Sequence, residues 1–291
     1  MKTFIIGDVH GRRAQLEALC AMLPRDRARD MLVLLGDLID RGEDAPGVVA
    51  WCVAQQSLSP DTFITLRGNH EQMLLDFIEG KSEMWLHPAV GGGSTLAQYG
   101  VSAKAVEACA GEDADENALE CLRQELVERV PAAHLEFLRA TRLYHEDECA
   151  LYVHAGLWRG QHPRDTSPEH LLWSRDAEFF LHYTGKPCVF GHTPAPFLPL
   201  RGRVGRHGIY VFHSAIGIDS GYTRGLPLSC LELPSFTLRQ AFADGHTATH
   251  RITALIPNSL RALHEQNCRE DKARLDKEHS DKKRLDASTS A

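Results

Sequence analysis

The sequence predicts an α/β protein, with parallel strands near its start and mixed sheet later on. Two observations carry this. Short apolar runs bounded by glycine or polar turns recur along the 291 residues. Runs of that length read as strands, several of them buried on both faces. Between the early runs the apolar residues switch to helical spacing, and strand–helix–strand alternation favours right-handed parallel units. The later runs have fewer helices between them, which points to a mixed sheet or a second sheet.

Taken in order, Thr3–Ile6 is the first strand. Leu16, Leu19, Cys20 and Leu23 then follow i, i+3, i+4, i+7 spacing, so one face of that helix is apolar. Met31–Leu35 is the second strand, Val48–Ala54 a helix, Thr62–Leu66 the third strand and Glu71–Glu79 a helix. Asn117–Leu138 is helical, and Pro131 breaks it in two because proline lacks the amide that continues the ladder. Ala150–Val153, Cys188–Phe190, Ile209–Phe212 and Pro227–Leu233 complete the strands. One catalytic body is expected over residues 1–245. Residues 246–291 hold nine Lys and Arg against seven Asp and Glu, a local +2 that leaves −9 for the body. From His264 onward the only large aliphatic side chains are Leu275 and Leu285. The segment 246–291 is therefore expected to be a charged tail, solvated helix or disordered.

Lys and Arg number 32 against 39 Asp and Glu, a net −7. That balance argues against broad nucleic-acid binding, which needs cations to neutralise phosphates. It leaves room for one phosphate at a local cationic site. The longest apolar runs fall far short of the ~20 residues of a membrane-spanning helix. The opening MKTFIIGDVH has its apolar stretch broken by Asp8 and His10, so it does not read as a secretory leader. No two of the eight cysteines form a CxxC pair, and free thiols in a cytoplasmic protein are the expectation.

Chemistry concentrates at strand ends. Gly7-Asp8-Val9-His10-Gly11 follows the first strand, Gly36-Asp37-Leu38-Ile39-Asp40-Arg41-Gly42 the second, and Gly68-Asn69-His70-Glu71 the third. In open α/β sheets, ligands bind beyond the carboxyl ends of strands. One such cluster could be capping chemistry. Three in register, each a glycine followed by hard or borderline donors, point to a metal site. A carboxylate beside an imidazole, as in Asp8 and His10, suits Mn, Fe or Zn better than Mg or Ca. His154-Ala155-Gly156 and Gly191-His192-Thr193 repeat the pattern of strand, then histidine, then turn. Taken singly, each of these histidines reads as a satisfied core or rim residue rather than a ligand.

In this order, GDVHG, GDLIDRG, GNHE, HAG and GHT resemble the calcineurin-like metallophosphoesterase superfamily, and within it the phosphoprotein phosphatase branch. The resemblance spans residues 5–221. The continuous GNHEQML, the following Gly91–Gly93 and Trp173-Ser174-Arg175-Asp176 are similar to the bacterial and phage lambda-type serine/threonine phosphatases. The resemblance implies a four-layer αββα sandwich with mixed β-sheets. It implies two divalent cations, Mn foremost with Fe or Zn as alternatives. It assigns Asp8 and His10 to the first, Asp37 to a bridge between them, and Asn69, His154 and His192 to the second. The implied reaction is attack of a metal-bridging hydroxide on a phosphate monoester, chiefly phosphoserine or phosphothreonine of proteins and extending to phosphotyrosine. His70 would protonate the leaving oxygen with Asp40 holding its imidazole. Arg41 and Arg175 would clamp the non-bridging oxygens.

Two other functions compete with that reading. A bis(5'-nucleosyl)-tetraphosphatase, which hydrolyses dinucleoside polyphosphates, shares the metal chemistry and differs in its outer pocket. The complete Asp40-Arg41-Gly42 and Asn69-His70-Glu71 favour the phosphatase. A regulatory binding module on a phosphatase scaffold would show a lost ligand, and none is lost. Phosphodiesterases and nucleases of the wider superfamily carry a second histidine in GHxH, where this chain has Pro194. Gly91–Gly93 reads as a flexible loop at the rim of the site, and His213 as a structural residue outside the ligand set.

Overall fold

The computed structural model describes residues 1–109, 115–199, 203–204, 207–222, 225–258 and 260. Its strands are β1 (Thr3–Ile6), β2 (Met31–Leu34), β3 (Phe63–Thr65), β4 (Tyr144–Glu146), β5 (Leu151–Val153), β6 (Cys188–Phe190), β7 (Arg203–Val204), β8 (Tyr210–Phe212), β9 (Ala215–Gly217), β10 (Leu228–Leu233), β11 (Thr237–Ala241) and β12 (Thr247–Arg251). They form two six-stranded sheets, ordered β12-β11-β10-β1-β2-β3 and β4-β5-β6-β9-β8-β7. Both sheets are mixed. In the first, β1, β2 and β3 run parallel while β10, β11 and β12 are antiparallel. In the second, β5, β6 and β9 are the parallel trio.

Alternation along the strands divides the apolar side chains into three layers. Phe4, Ile6, Leu32 and Leu34 face one cluster, into which α1 (Arg13–Ala21) sends Leu16 and Leu19 and α2 (Ala45–Leu58) sends Val48, Val49 and Cys52. α3 (Asn69–Ile78) adds Met73, Leu74 and Phe77 to it. Ile5, Val33 and Ile64 point the other way and meet Tyr152, Val189 and Ile216 of the second sheet. The opposite face of that sheet, with Val153, Cys188 and Phe190, packs against Leu171, Phe179 and Phe180. The result is the four-layer αββα sandwich. β1 and β2 are buried at every position because both their faces are covered.

The body extends past the expected boundary at residue 245. β12 pairs with β11 along its full length, Thr237 opposite Arg251 and Ala241 opposite Thr247. Ile252, Ile256 and Leu260 are buried in the cluster between the sheets. The strand was invisible as such because it is a polar sheet edge, in which Thr247, Thr249 and Arg251 are exposed. The rest of the expected tail, residues 261–291, lies outside the described residues.

Candidate metal centre and active site

The parallel strands of both sheets deliver the polar motifs to one place. β1 is followed by Asp8 and His10, β2 by Asp37, Asp40 and Arg41, β3 by Asn69 and His70, β5 by His154 and β6 by His192. Apart from Arg41, all of these side chains are buried. The loops touch closely. A Cβ on Gly36, whose φ is +99°, would lie 2.4 Å from the amide nitrogen of Gly68. A Cβ on Gly191 would lie 2.0 Å from Oδ1 of Asp8. Among the described residues eight non-glycine residues have positive φ, and five of them are His10, Asp37, Asp40, Arg41 and His192. Strain of this kind persists where the surrounding structure holds it, and it clusters at functional sites.

Asp37 is the hub. Its Oδ2 lies 3.6 Å from His10 Nε2 and 3.8 Å from His70 Nε2, and its Oδ1 lies 3.4 Å from His154 Nε2. Two sets of ligand-type atoms share it: His10, Asp37 and His70, and Asp37, His154 and His192. Asn69 Oδ1 joins the second set, 3.0 Å from His154 Nε2 and 2.8 Å from His192 Nδ1. His10 Nδ1–H donates to the Ile39 carbonyl and His154 Nδ1–H to that of Leu35. Each Nε2 is thereby left with its lone pair turned inward. Burial lowers the pKa of His10, His154 and His192, the last to about 3, so these imidazoles are uncharged. In His154, a lone pair faces the oxygen lone pairs of Asn69 and Asp37. Such acceptor-to-acceptor contacts are satisfied by a cation, so the donor set fits a pair of divalent ions sharing Asp37.

Asp8 falls outside both groups. Its two carboxylate oxygens accept the His192 amide at 3.1 and 3.0 Å. Burial first, then Asp219 and Asp37, raise its pKa well above the usual carboxylate value. Asp8 thus borders the centre from the side of the His192 loop.

His70 differs from the other three imidazoles. Burial alone would disfavour its charged form, but Asp37 and the hydrogen-bonded Asp40 outweigh burial and raise its pKa. Its Nδ1 lies 2.6 Å from Asp40 Oδ2. Asp40 also accepts Trp85 Nε1–H at 3.0 Å and Thr95 Oγ1–H at 2.7 Å. With its other partners donating, the carboxylate fixes Nδ1 of His70 as a donor and Nε2 as the free end of the ring.

Trp85 and Thr95 were not visible in the sequence as site residues. The signal was the glycine run, which is not the expected flexible loop. Gly91 is left-handed, with φ +97°, and caps α4 (Gly92–Gln98), which carries Thr95. A Cβ on Gly92 would sit 2.3 Å from the Trp85 carbonyl. The run thus exists to bring a helix onto Trp85. Glu71 was also missed as more than a letter of its motif. Its carboxylate accepts the amides of Asp37, Leu38 and Gly68 within 2.9 Å and so ties the second loop to the third. Burial, then Asp37, pushes its pKa up to about 7.

Arg41 and Arg175 line a cavity of about 540 Å³ together with Asp37, Asn69, His70 and His192. The Arg41 guanidinium donates to His10 Nε2 at 3.2 Å and lies over the Tyr222 ring, 4.6 Å from its centroid. Arg175 follows the helix Pro168–Trp173, and Asp176 after it caps the next helix by accepting the Glu178 amide. His213 is exposed between β8 and β9, away from the ligand groups.

Residues 1–196 match the calcineurin-like phosphoesterases, and the chain belongs to that family. Among curated relatives, serine/threonine-protein phosphatase 1 of Salmonella typhimurium is 39% identical over 85 residues, 28% of this chain and 36% of that protein. The symmetrical bis(5'-nucleosyl)-tetraphosphatase of Edwardsiella ictaluri is 40% identical over 82 residues, 28% of each chain. Both matches thus span well under half of the relative. The asymmetrical bis(5'-nucleosyl)-tetraphosphatase PrpE of Oceanobacillus iheyensis is 27% identical over 268 residues, covering 80% of this chain and 89% of its own. The crystal structure of a candidate diadenosine tetraphosphatase shares the fold, with a TM-score of 0.54 at 20% identity, over 86% of this chain and 92% of its own. No helix among the described residues is long and apolar enough to cross a membrane.

Proposed function

We propose that this chain hydrolyses phosphate monoesters with a dinuclear centre, phosphoserine and phosphothreonine of proteins being its leading substrates. The observation that carries this is the sharing of Asp37 by two ligand groups, with the His70–Asp40 pair beside them. Asp8, His10, Asp37, Asn69, His154 and His192 would hold the cations, with Mn preferred by the mixed carboxylate and imidazole set. When bound, the pair supplies Lewis acidity that activates water at neutral pH and neutralises phosphate oxygens. His70, charged more readily than its neighbours, donates a proton from Nε2 to the leaving oxygen. Asp40 keeps Nδ1 occupied and so fixes which nitrogen does this. Arg41 leaves His10 and, with Arg175, holds the non-bridging oxygens, a planar guanidinium matching a phosphate face. We place the chain in a reducing, cytoplasmic setting, in keeping with a sequence in which no two of the eight cysteines form a CxxC pair.

The length of the match to PrpE favours one second reading, bis(5'-nucleosyl)-tetraphosphate hydrolysis. A substrate panel at matched Mn occupancy separates the two. Faster turnover of phosphoserine and phosphothreonine peptides than of diadenosine tetraphosphate is the expected result. The reverse order replaces the phosphatase by the tetraphosphatase.

A further inference from the structure

Phe197 is 82% exposed, more than any other large apolar side chain among the described residues. It is not exposed for want of order around it. The turn Ala195–Phe197 carries prolines at 194 and 196, which fix its backbone. The Ala195 amide donates to the Asp219 carbonyl, and the Phe197 amide to that of Pro194. Ala195 and Leu198, on either side, are buried. A rigid turn thus holds one aromatic ring in solvent, and it does so at the mouth of the cavity lined by His70 and Arg175.

Two kinds of side chain line the cavity. Arg41, Arg175 and His70 are among its lining residues, and an anionic phosphate belongs beside them by charge. Phe180, Pro194 and Phe197 line it too, and their side chains offer no hydrogen bond to a peptide or polyol. We infer that Phe197 is a specificity-determining platform, on which a planar ring carried by the leaving group stacks while the phosphate sits against the arginines. This rests on the phosphoesterase reading and adds a preference to it: among phosphate esters that fit the site, those whose leaving group carries a planar ring are held more tightly than those without one. An aryl ring esterified directly to phosphate and a nucleobase one sugar away share this chemistry. Because the turn is fixed before binding, stacking costs little ordering.

The test is calorimetry on the Mn-loaded full chain with phosphonates, whose C–P bond a phosphoesterase does not cleave. One pair is benzylphosphonate and ethylphosphonate. The other is the phosphonate analogue of adenosine monophosphate and that of ribose 5-phosphate. In at least one pair the wild type should bind the ring-bearing member more tightly, by about 5- to 100-fold, and the pair that shows it identifies the ring. Phe197→Ala should bring that ratio close to one, and Phe197→Trp should retain it. A wild-type ratio near one in both pairs overturns the inference. So does a ratio that Phe197→Ala leaves intact, including the case in which both members weaken equally. A change of oligomeric state with the ratio intact would make Phe197 an interface residue and also overturns it. Failure of the wild type to bind any phosphonate and to hydrolyse any monoester is a different result, which removes the phosphoesterase reading itself.

Discussion

Four imidazoles crowd around one carboxylate, and their second nitrogens tell them apart. His10 and His154 spend Nδ1 on backbone carbonyls, while His70 spends it on Asp40. Burial keeps the first two neutral, whereas carboxylates on both sides favour a proton on His70. A group that donates a proton matters in proportion to how badly the leaving group needs one. His70→Asn should therefore slow phosphoserine peptides far more than p-nitrophenyl phosphate, by on the order of 10²–10⁴-fold on the poor leaving group. Metal content should not fall. Equal losses on both substrates would exclude the acid role, and loss of one cation would make His70 a ligand, the position its Nε2 near Asp37 also permits. Thr95→Val, which removes one donor to Asp40, should show the same dependence on leaving group more mildly. The ligand-type residues were legible because each stands within a few positions of a strand end. Trp85 and Thr95 were not, because they lie 45 and 55 positions from Asp40 and only folding brings them to it.

Secondary elements were legible to the extent that their burial was uniform. β1, β2 and β3 are covered on both faces, so their sequences are plain apolar runs. β4 and β12 form sheet edges, and their exposed or half-exposed residues give no such run. β9 and β11 are buried but were not read from the sequence, β9 being only three residues long. The glycine run after α3 looked like a loop because glycine penalises helix interiors. It is tolerated at the start of α4 because side chains there would collide with Trp85 and Arg41. Gly92→Ala should accordingly lower the melting temperature and loosen Asp40, seen as slower turnover of alkyl phosphates. An unchanged melting temperature would show that the contact yields easily. At the other end of the chain, a protein ending at residue 245 loses β12 and the burial of Ile252, Ile256 and Leu260. It should unfold at a clearly lower temperature than one ending at residue 260, each buried aliphatic side chain being worth about 1.5–3 kcal/mol. Equal melting temperatures would mean that β12 adds nothing to the body.

At the scale of the whole molecule, stacking two mixed sheets directs the carboxyl ends of two parallel trios to one place. That is why histidines 154 and 192 meet Asn69 across 85 and 123 residues of chain. Spacing alone could not show this convergence, since either histidine by itself reads as a core residue. The order of all five motifs made it legible. What holds the arrangement together electrically is Asp37, the one carboxylate common to both ligand groups. The most direct measurement is therefore metal content, determined on wild type and Asp37→Asn purified in parallel from Mn-containing medium. The wild type should carry two cations per chain, and the variant should lose them along with most of its activity, because neutral asparagine cannot screen two cations held about 3.5–4 Å apart. A variant that keeps both cations and near-normal turnover would contradict the shared-carboxylate centre.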